Sequence, residues 1–142
     1  MAETELATFY AGCDAPHREF FSVVASEWQQ AGLPVEIREH ALVLCGRSVM
    51  REGSLELFEL RPGQGIEPSG ICLDLDRWCS WLGQEESDAF VRSVKQIDGL
   101  QHRTQGALFV ILEPGHMSGP MQQALRNVIH RLAMRLPDLI AP

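Results

Sequence analysis

The spacing of apolar residues changes several times along the chain, and each change predicts a different element. Phe20, Val24 and Trp28 recur every fourth residue, which is the spacing of one buried helix face. Asp14 stands before this run as a candidate N-cap, and Gly32 follows it as a stop signal. The pattern therefore predicts a helix between Asp14 and Gly32.

Strands are predicted to follow this helix. Val35 and Ile37 alternate with charged residues, and Ile71 and Leu73 alternate with polar ones, which is the two-residue period of a half-buried strand. Two further segments are rich in Leu, Val and Phe. The predicted strands are residues 35–38, 41–45, 54–61 and 70–75, with turns at residues 39–40 and 51–53.

Helical spacing returns in the middle of the chain. Asp76 is a candidate cap for a short helix that ends at Gly83. A longer helix follows and places Phe90, Val94 and Ile97 on one face. The pattern predicts two consecutive helices in this region.

The last part of the chain predicts two strands and a helix. Residues 100–104 and 107–112 are the strands, and the second is continuously apolar, so we expect it to be covered on both faces. The final helix begins near Ser118 and ends at Pro137. Its apolar stripe consists of Met121, Leu125, Val128, Ile129, Leu132 and Leu136.

The element order α-β-β-β-β-α-α-β-β-α predicts an α+β fold. A curved antiparallel sheet with helices mainly on one face joins these elements through short connections. We expect one two-layer domain over residues 14–142, because 142 residues can bury one sizeable core. Residues 1–13 precede the first strong helical signal, and we expect them to form an N-terminal arm that is free to move.

The charge of the chain argues against nucleic acid as a ligand. Residues 1–98 hold 17 acidic and 8 basic side chains, a balance of −9, whereas residues 99–142 hold 2 acidic and 4 basic ones, a balance of +2. An acidic body repels phosphate backbones. No apolar run approaches the roughly 18 residues that cross a bilayer, and no basic region opens the chain as in a secretory signal. We expect a cytoplasmic protein with no nucleic-acid partner and no membrane contact.

Candidate metal ligands are few. The cysteines form no CxxC pair, so we expect reduced thiols and no zinc site. Asp74 and Asp76, two residues apart at a strand end, could hold a divalent cation with ligands from elsewhere. The alternative is that Asp74 is a solvated strand residue and Asp76 caps the following helix. We expect no cofactor.

Glu113 and His116 lie in the predicted loop between the last strand and the last helix. Loops at strand ends often carry binding groups, and a histidine titrates near neutral pH. With Glu113 as its partner, His116 could serve as a catalytic general base. The alternative is a turn with a solvent-facing histidine. No nucleophile elbow and no phosphate-binding loop accompanies these residues.

Trp78, Trp81 and Leu82 place a large apolar surface on one short helix. Two interpretations remain open. The three side chains belong to the core, or they form a patch that faces a protein partner, since exposed aromatic clusters often mark interfaces.

The sequence favours a non-enzymatic protein-binding or adaptor domain, chaperone-like, acidic and homodimeric. The alternative is a small metal-dependent or acid/base hydrolase that uses the Glu113–His116 loop. The element order resembles that of the small acidic dimeric chaperones of type III secretion, whose fold is α-β-β-β-α-β-β-α. This resemblance implies a dimer that binds protein segments. The strand at residues 70–75 and the doubled central helix depart from it, and it carries no binding residue over to this chain.

Overall fold

The computed structural model of the chain describes residues 3–38, 41–47, 54–63, 68–105, 107–113 and 117–140. The predicted turns at residues 39–40 and 51–53 lie outside these ranges. The described residues form five helices: α1 (Glu3–Ala11), α2 (Ala15–Gln30), α3 (Leu75–Leu82), α4 (Gln84–Lys95) and α5 (Gly119–Ile140). They also form six strands: β1 (Val35–Arg38), β2 (Ala41–Arg47), β3 (Ser54–Arg61), β4 (Gly70–Asp74), β5 (Gln101–Gln105) and β6 (Ala107–Ile111).

The six strands form one antiparallel sheet in the order β1-β2-β3-β4-β6-β5, and the predicted α+β class is confirmed. The register aligns apolar side chains across neighbouring strands. Ile71 of β4 lies opposite Val110 of β6, and Leu73 lies opposite Leu108. All four are buried. Because successive side chains of a strand point to opposite faces, this register gives the sheet one apolar face.

All five helices contribute buried side chains to the core that covers this face. The helix face that carries Phe20, Val24 and Trp28 is buried, as its spacing predicted, and so is the whole predicted stripe of α5. Burial of an amphipathic face against the sheet is the main source of helix stability in a domain of this size. Each helix places at least one large side chain in this core. From α1 to α5, in order, these include Phe9, Trp28, Trp78, Phe90 and Leu125.

The opposite face of the sheet, here called the outer face, is charged over β1 to β3. Arg38 of β1 pairs with Glu36 on its own strand and with Glu56 of β3, so the second ion pair crosses β2. The stems of such long side chains can cover apolar surface while their charged ends stay in water. β2 places a second, small buried cluster on this face: Ala41, Val43 and Cys45.

The outer face is apolar over β4 and β6. Ala107, Phe109 and Ile111 alternate with the buried residues of β6 and are half-exposed, and Cys72 of β4 lies opposite Phe109. The Phe109 ring packs against Gly70, which has no side chain to obstruct it. A Cβ on Gly70 would come within 3.0 Å of that ring and 2.1 Å of the Val110 carbonyl oxygen. We call Cys72, Ala107, Phe109 and Ile111 the outer apolar row.

A β-bulge joins the sheet to the helical layer. The pairing of β2 with β3 shifts between Leu44 and Cys45, and Leu57 has no partner in the register. As a result, both Leu57 and Phe58 are buried in the core. The unpaired Leu57 carbonyl accepts a hydrogen bond from the Trp78 indole at 2.8 Å. The bulge therefore supplies the polar partner that a buried tryptophan requires.

The structure adds α1 to the predicted element order, within the residues expected to form an arm. Phe9 of α1 lies 6.5 Å from Phe21 of α2 between ring centroids. The Arg18 guanidinium donates hydrogen bonds to the carbonyls of Tyr10 and Cys13, at 3.0 and 3.1 Å. These bonds satisfy carbonyl groups at the end of α1 and fasten it to α2.

Strand β6 and helix α5 also differ from their predictions. The continuously apolar strand β6 lies between β4 and β5 but is not covered on both faces, because Phe109 and its alternating neighbours are half-exposed. Helix α5 continues past the predicted stop at Pro137 as far as Ile140. A proline in the last turn removes only one of the backbone donors of a long helix, which limits its effect.

Candidate functional site

The three residues of the predicted aromatic patch lie at different depths. Trp78 is 0% exposed, and its ring is surrounded by Phe58 and Phe90 at centroid distances of 5.1 and 4.8 Å. Leu82 is also buried. Trp81 is half-buried and packs against the same core. Of the three side chains, Trp81 is the accessible one, so a binding surface on α3 would depend on it.

The carboxylate of Asp74 serves the start of a helix. Its Oδ1 accepts backbone hydrogen bonds from Asp76 and Arg77 at 3.1 and 3.2 Å, and its Oδ2 lies 3.6 Å from Arg77 Nε. The N-cap of α3 is therefore Asp74, because the helix begins at Leu75, before the predicted cap Asp76. Asp76 is exposed in the first turn. Within the described ranges, no group of three or more His, Cys, Asp or Glu side chains is placed to hold a metal ion.

Glu113 follows β6 and is exposed, whereas His116 lies outside the described residues. Their pairing as a general acid/base site therefore stays a prediction. The residue before Glu113 is Leu112, which is buried and belongs to a polar network around His17. His17 shares the apolar face of α2 with Phe20 and Val24, a position that predicts a packed, hydrogen-bonded histidine.

This network centres on His17, which is 1% exposed. His17 Nε2 donates to the Leu112 carbonyl at 2.5 Å, and its Nδ1 lies 3.4 Å from the Ser69 hydroxyl. Ser69 Oγ in turn accepts the Gly63 backbone N–H at 2.8 Å. Asp14 Oδ2 lies 3.8 Å from the same Nδ1. The histidine thus connects α2 to the ends of β3, β4 and β6.

Serine, histidine and aspartate are the components of a catalytic triad, but their geometry here is different. In a triad the serine and the aspartate use opposite ring nitrogens of the histidine. Here Ser69 and Asp14 both face Nδ1 of His17, while Nε2 is bound to the Leu112 carbonyl. The network therefore joins segments of the fold and does not prepare the Ser69 hydroxyl as a nucleophile.

The thiols on the outer face are poor nucleophiles. Burial raises the pKa of Cys45 to about 12, with smaller contributions from Glu36 and Glu56. Burial also raises the pKa of Cys72. Because the thiolate is the reactive form, these two side chains stay protonated and unreactive at neutral pH.

A groove lies between α4 and α5 on the outside of the helical layer. Its volume is about 360 Å³, within the range of small binding sites. Three buried apolar side chains contribute to its lining: Phe90 of α4, and Val128 and Leu132 of α5. Met134 also lines it and is 62% exposed. We call this feature the α4–α5 groove.

The charged residues of the groove lie mostly on α5. Arg135 pairs with Glu86 of α4 and links the two helices. Arg131 and His130 line the groove and are exposed. The α4 side contributes Ala89 and Ser93, which are small. The Ser93 hydroxyl donates to the Ala89 carbonyl at 3.0 Å, so its polar group is satisfied within α4.

Sequence reasoning missed this groove, although one signal of it was present. Met134 falls outside the apolar stripe of α5, so its side chain points away from the core. An exposed methionine with small residues on a neighbouring helix is typical of an adaptable binding surface. The pairing of α4 with α5 could not be inferred, because these helices are separated by β5 and β6 in the sequence.

No family model, curated protein or solved structure matches the chain. Within the described residues, no helix combines the length and the apolar character needed to cross a membrane.

Proposed function

We propose that this chain is a non-enzymatic protein-binding domain of the adaptor or chaperone-like kind. The observation that supports the proposal is the α4–α5 groove, in which an apolar floor formed by Phe90, Val128 and Leu132 lies beside the exposed Met134. Apolar surface gains about 25 cal/mol for each Å² removed from water. A partner side chain that fills this groove would gain that free energy without disturbing the core beneath it.

The occupant that fits the groove is an amphipathic helix of a partner protein. Two helices that pack side by side present a channel in which the side-chain ridges of a third helix can fit. The low ridge formed by Ala89 and Ser93 allows such a helix to approach closely, because neither residue has a long side chain. The partner would contribute its apolar stripe to the groove.

The proposal extends to a cytoplasmic location and a homodimer. The four cysteines are free, which suits a reducing compartment. The outer apolar row is the surface we assign to the second copy, because it lies on the sheet face opposite the helices and away from the α4–α5 groove. A dimer through that row would leave both grooves accessible.

The test uses a synthetic helical peptide with leucines at helical spacing and a neutral polar face of glutamine and serine. We expect it to bind the full chain in a fluorescence anisotropy titration, and we expect Met134→Glu to weaken binding by about tenfold. His116→Ala, which alters the loop of the hydrolase alternative, is expected to bind the peptide like the original chain. A peptide with the same residues in scrambled order is the control for non-specific association.

The proposal is wrong if the helical and scrambled peptides bind equally, or if Met134→Glu has no effect on binding. Met134 is exposed, so its substitution should leave the melting temperature unchanged. Thermal unfolding of the variant therefore checks that a loss of binding does not arise from a loss of structure.

A further inference from the structure

The three arginines of α5 differ in their partners. Arg126 pairs with Glu27 of α2 at 2.8 Å, and Arg135 pairs with Glu86 of α4. Arg131 lies between them, and its Nε donates to the Asn127 carbonyl of its own helix at 3.3 Å. Among the described residues, Arg131 has no carboxylate partner. Its charge is therefore available to a ligand in the α4–α5 groove.

This cation stands out against the charge of the chain. Residues 1–98 carry a balance of −9 from 17 acidic and 8 basic side chains. The acidic residue of α4 that lines the groove is Glu86, which is paired with Arg135, whereas Ala89 and Ser93 leave the middle of the α4 rim uncharged. The two rims of the groove therefore differ. The α5 side carries the cation Arg131, whereas the α4 side carries small neutral residues and a Glu86 carboxylate that is already paired with Arg135.

We infer that the α4–α5 groove selects an amphipathic helix that carries carboxylates along the flank facing α5. The inference rests on the proposed function and specifies its partner. A carboxylate at that flank accepts hydrogen bonds from the Arg131 guanidinium, and the ring N–H of His130 is a second donor on the same rim. A lysine at the same flank would face Arg131 and be repelled. On the α4 rim the Glu86 carboxylate is already paired with Arg135, so this rim does not select a charge on the other flank of the partner helix.

The experiment compares two versions of the leucine-bearing helical probe peptide, one with glutamates and one with lysines along a single flank. At low salt we expect the glutamate peptide to bind about tenfold more tightly than the lysine peptide. The difference should shrink as salt is raised, because the charges lie on an exposed rim. Arg131→Glu is expected to abolish the preference for glutamate, whereas Arg47→Glu, an exposed arginine at the end of β2, should retain it.

The possible results separate this inference from the proposed function. If the neutral and both charged peptides fail to bind, both proposals are wrong. If all three bind with equal affinity, or if Arg131→Glu and Arg47→Glu change the preference equally, the groove binds helices but the charge selection is refuted. If the chain sediments as a dimer that Met134→Glu dissociates, a second copy occupies the groove and the inference is also refuted.

Discussion

At the scale of single residues, the His17 network shows how a polar group is accommodated at the boundary of the core. Every buried side-chain nitrogen and oxygen in the described ranges has a hydrogen-bond partner. Ser69 is a central member, because its hydroxyl connects the Gly63 N–H to His17. Removing one member of such a network leaves a buried side chain such as His17 with an unpaired polar atom, and that loss exceeds the value of the bond itself.

We predict that Ser69→Ala lowers the free energy of unfolding by about 1–3 kcal/mol, because it leaves His17 Nδ1 and the Gly63 N–H without this partner. Urea denaturation followed by circular dichroism measures the change. Ser22→Ala is the matched control, since its exposed hydroxyl bonds only to the Glu19 carbonyl, and it should change stability by less than about 0.5 kcal/mol. Equal effects of the two substitutions would contradict the role assigned to the network.

The Cys45 thiol predicts a dependence of stability on alkaline pH. Its pKa is raised from 9.0 to about 12, mainly by burial. Above pH 9 the unfolded chain loses this proton while the folded chain keeps it, so stability falls as the pH rises from 9 towards 12. One such group contributes a slope of about 1.4 kcal/mol per pH unit in that window.

Cys45→Ala should therefore show a shallower loss of stability between pH 9 and pH 11 than the original chain. The measurement is the free energy of unfolding in urea at several pH values. The variant at pH 7 serves as the reference, because there it differs from the original chain only by the lost packing of the sulfur. Parallel curves for the two proteins would show that Cys45 is not the group responsible.

At the scale of elements, the β-bulge at Leu57 holds the sheet and α3 together. We predict that Trp78→Phe lowers the free energy of unfolding by about 2–4 kcal/mol, because it leaves the Leu57 carbonyl unpaired and a gap beside Phe58 and Phe90. Urea denaturation again gives the value. Trp81→Phe is the comparison, and its loss should be smaller because water already reaches this half-buried side chain. A loss as large for Trp81→Phe would place the critical contact of α3 elsewhere.

The spacing of apolar residues predicted most of the elements because each buries one face. The same spacing also carries a signal of the β-bulge in β3, which was not used in predicting the strands. Leu55 and Leu57 follow one alternating phase in β3, and Phe58 and Leu60 follow the other, so the phase changes where the extra residue lies. Helix α1 was missed because it is short and its apolar residues do not form a one-sided stripe, so its position depends on contacts with α2 that local spacing does not reveal.

The candidate binding site could not be predicted from the local spacing of residues for a similar reason. The α4–α5 groove is made of residues that are distant in sequence, such as Phe90 and Leu132, and no spacing rule joins them. Trp78 attracted interest because its helix is short and aromatic, yet the structure places it in the core. Local sequence indicates which residues avoid water, but the arrangement of helices decides which of them a partner can reach.

At the scale of the whole molecule, the two sides of the sheet have different surfaces. The helical layer carries the α4–α5 groove, and the outer face carries the outer apolar row. Arg103 of β5 lies at one flank of this row, with its guanidinium carbon 5.4 Å from the Phe109 ring centroid. Glu59 of β3 lies at the other flank, opposite Cys72. The Glu59 carboxylate is paired with Arg61 of its own strand, so in a self-complementary contact it would be shared between Arg61 and Arg103 of a second copy.

A two-fold axis parallel to the strands would place Arg103 of one copy over Glu59 of the other, and each Phe109 ring over Cys72 of the other copy and beside the second Phe109 ring. We therefore predict that the chain sediments as a dimer and that Phe109→Glu, which buries a carboxylate in this contact, converts it to a monomer. Arg103→Glu should weaken the dimer, and combining it with Glu59→Arg should restore it, because the exchanged charges can pair again.

Analytical ultracentrifugation of the original chain, the two single variants and the double variant measures these changes. A monomer at all concentrations, or a dimer indifferent to Phe109→Glu, would remove the outer apolar row from the assembly, whereas rescue by the double exchange would fix both the surface and the direction of the axis.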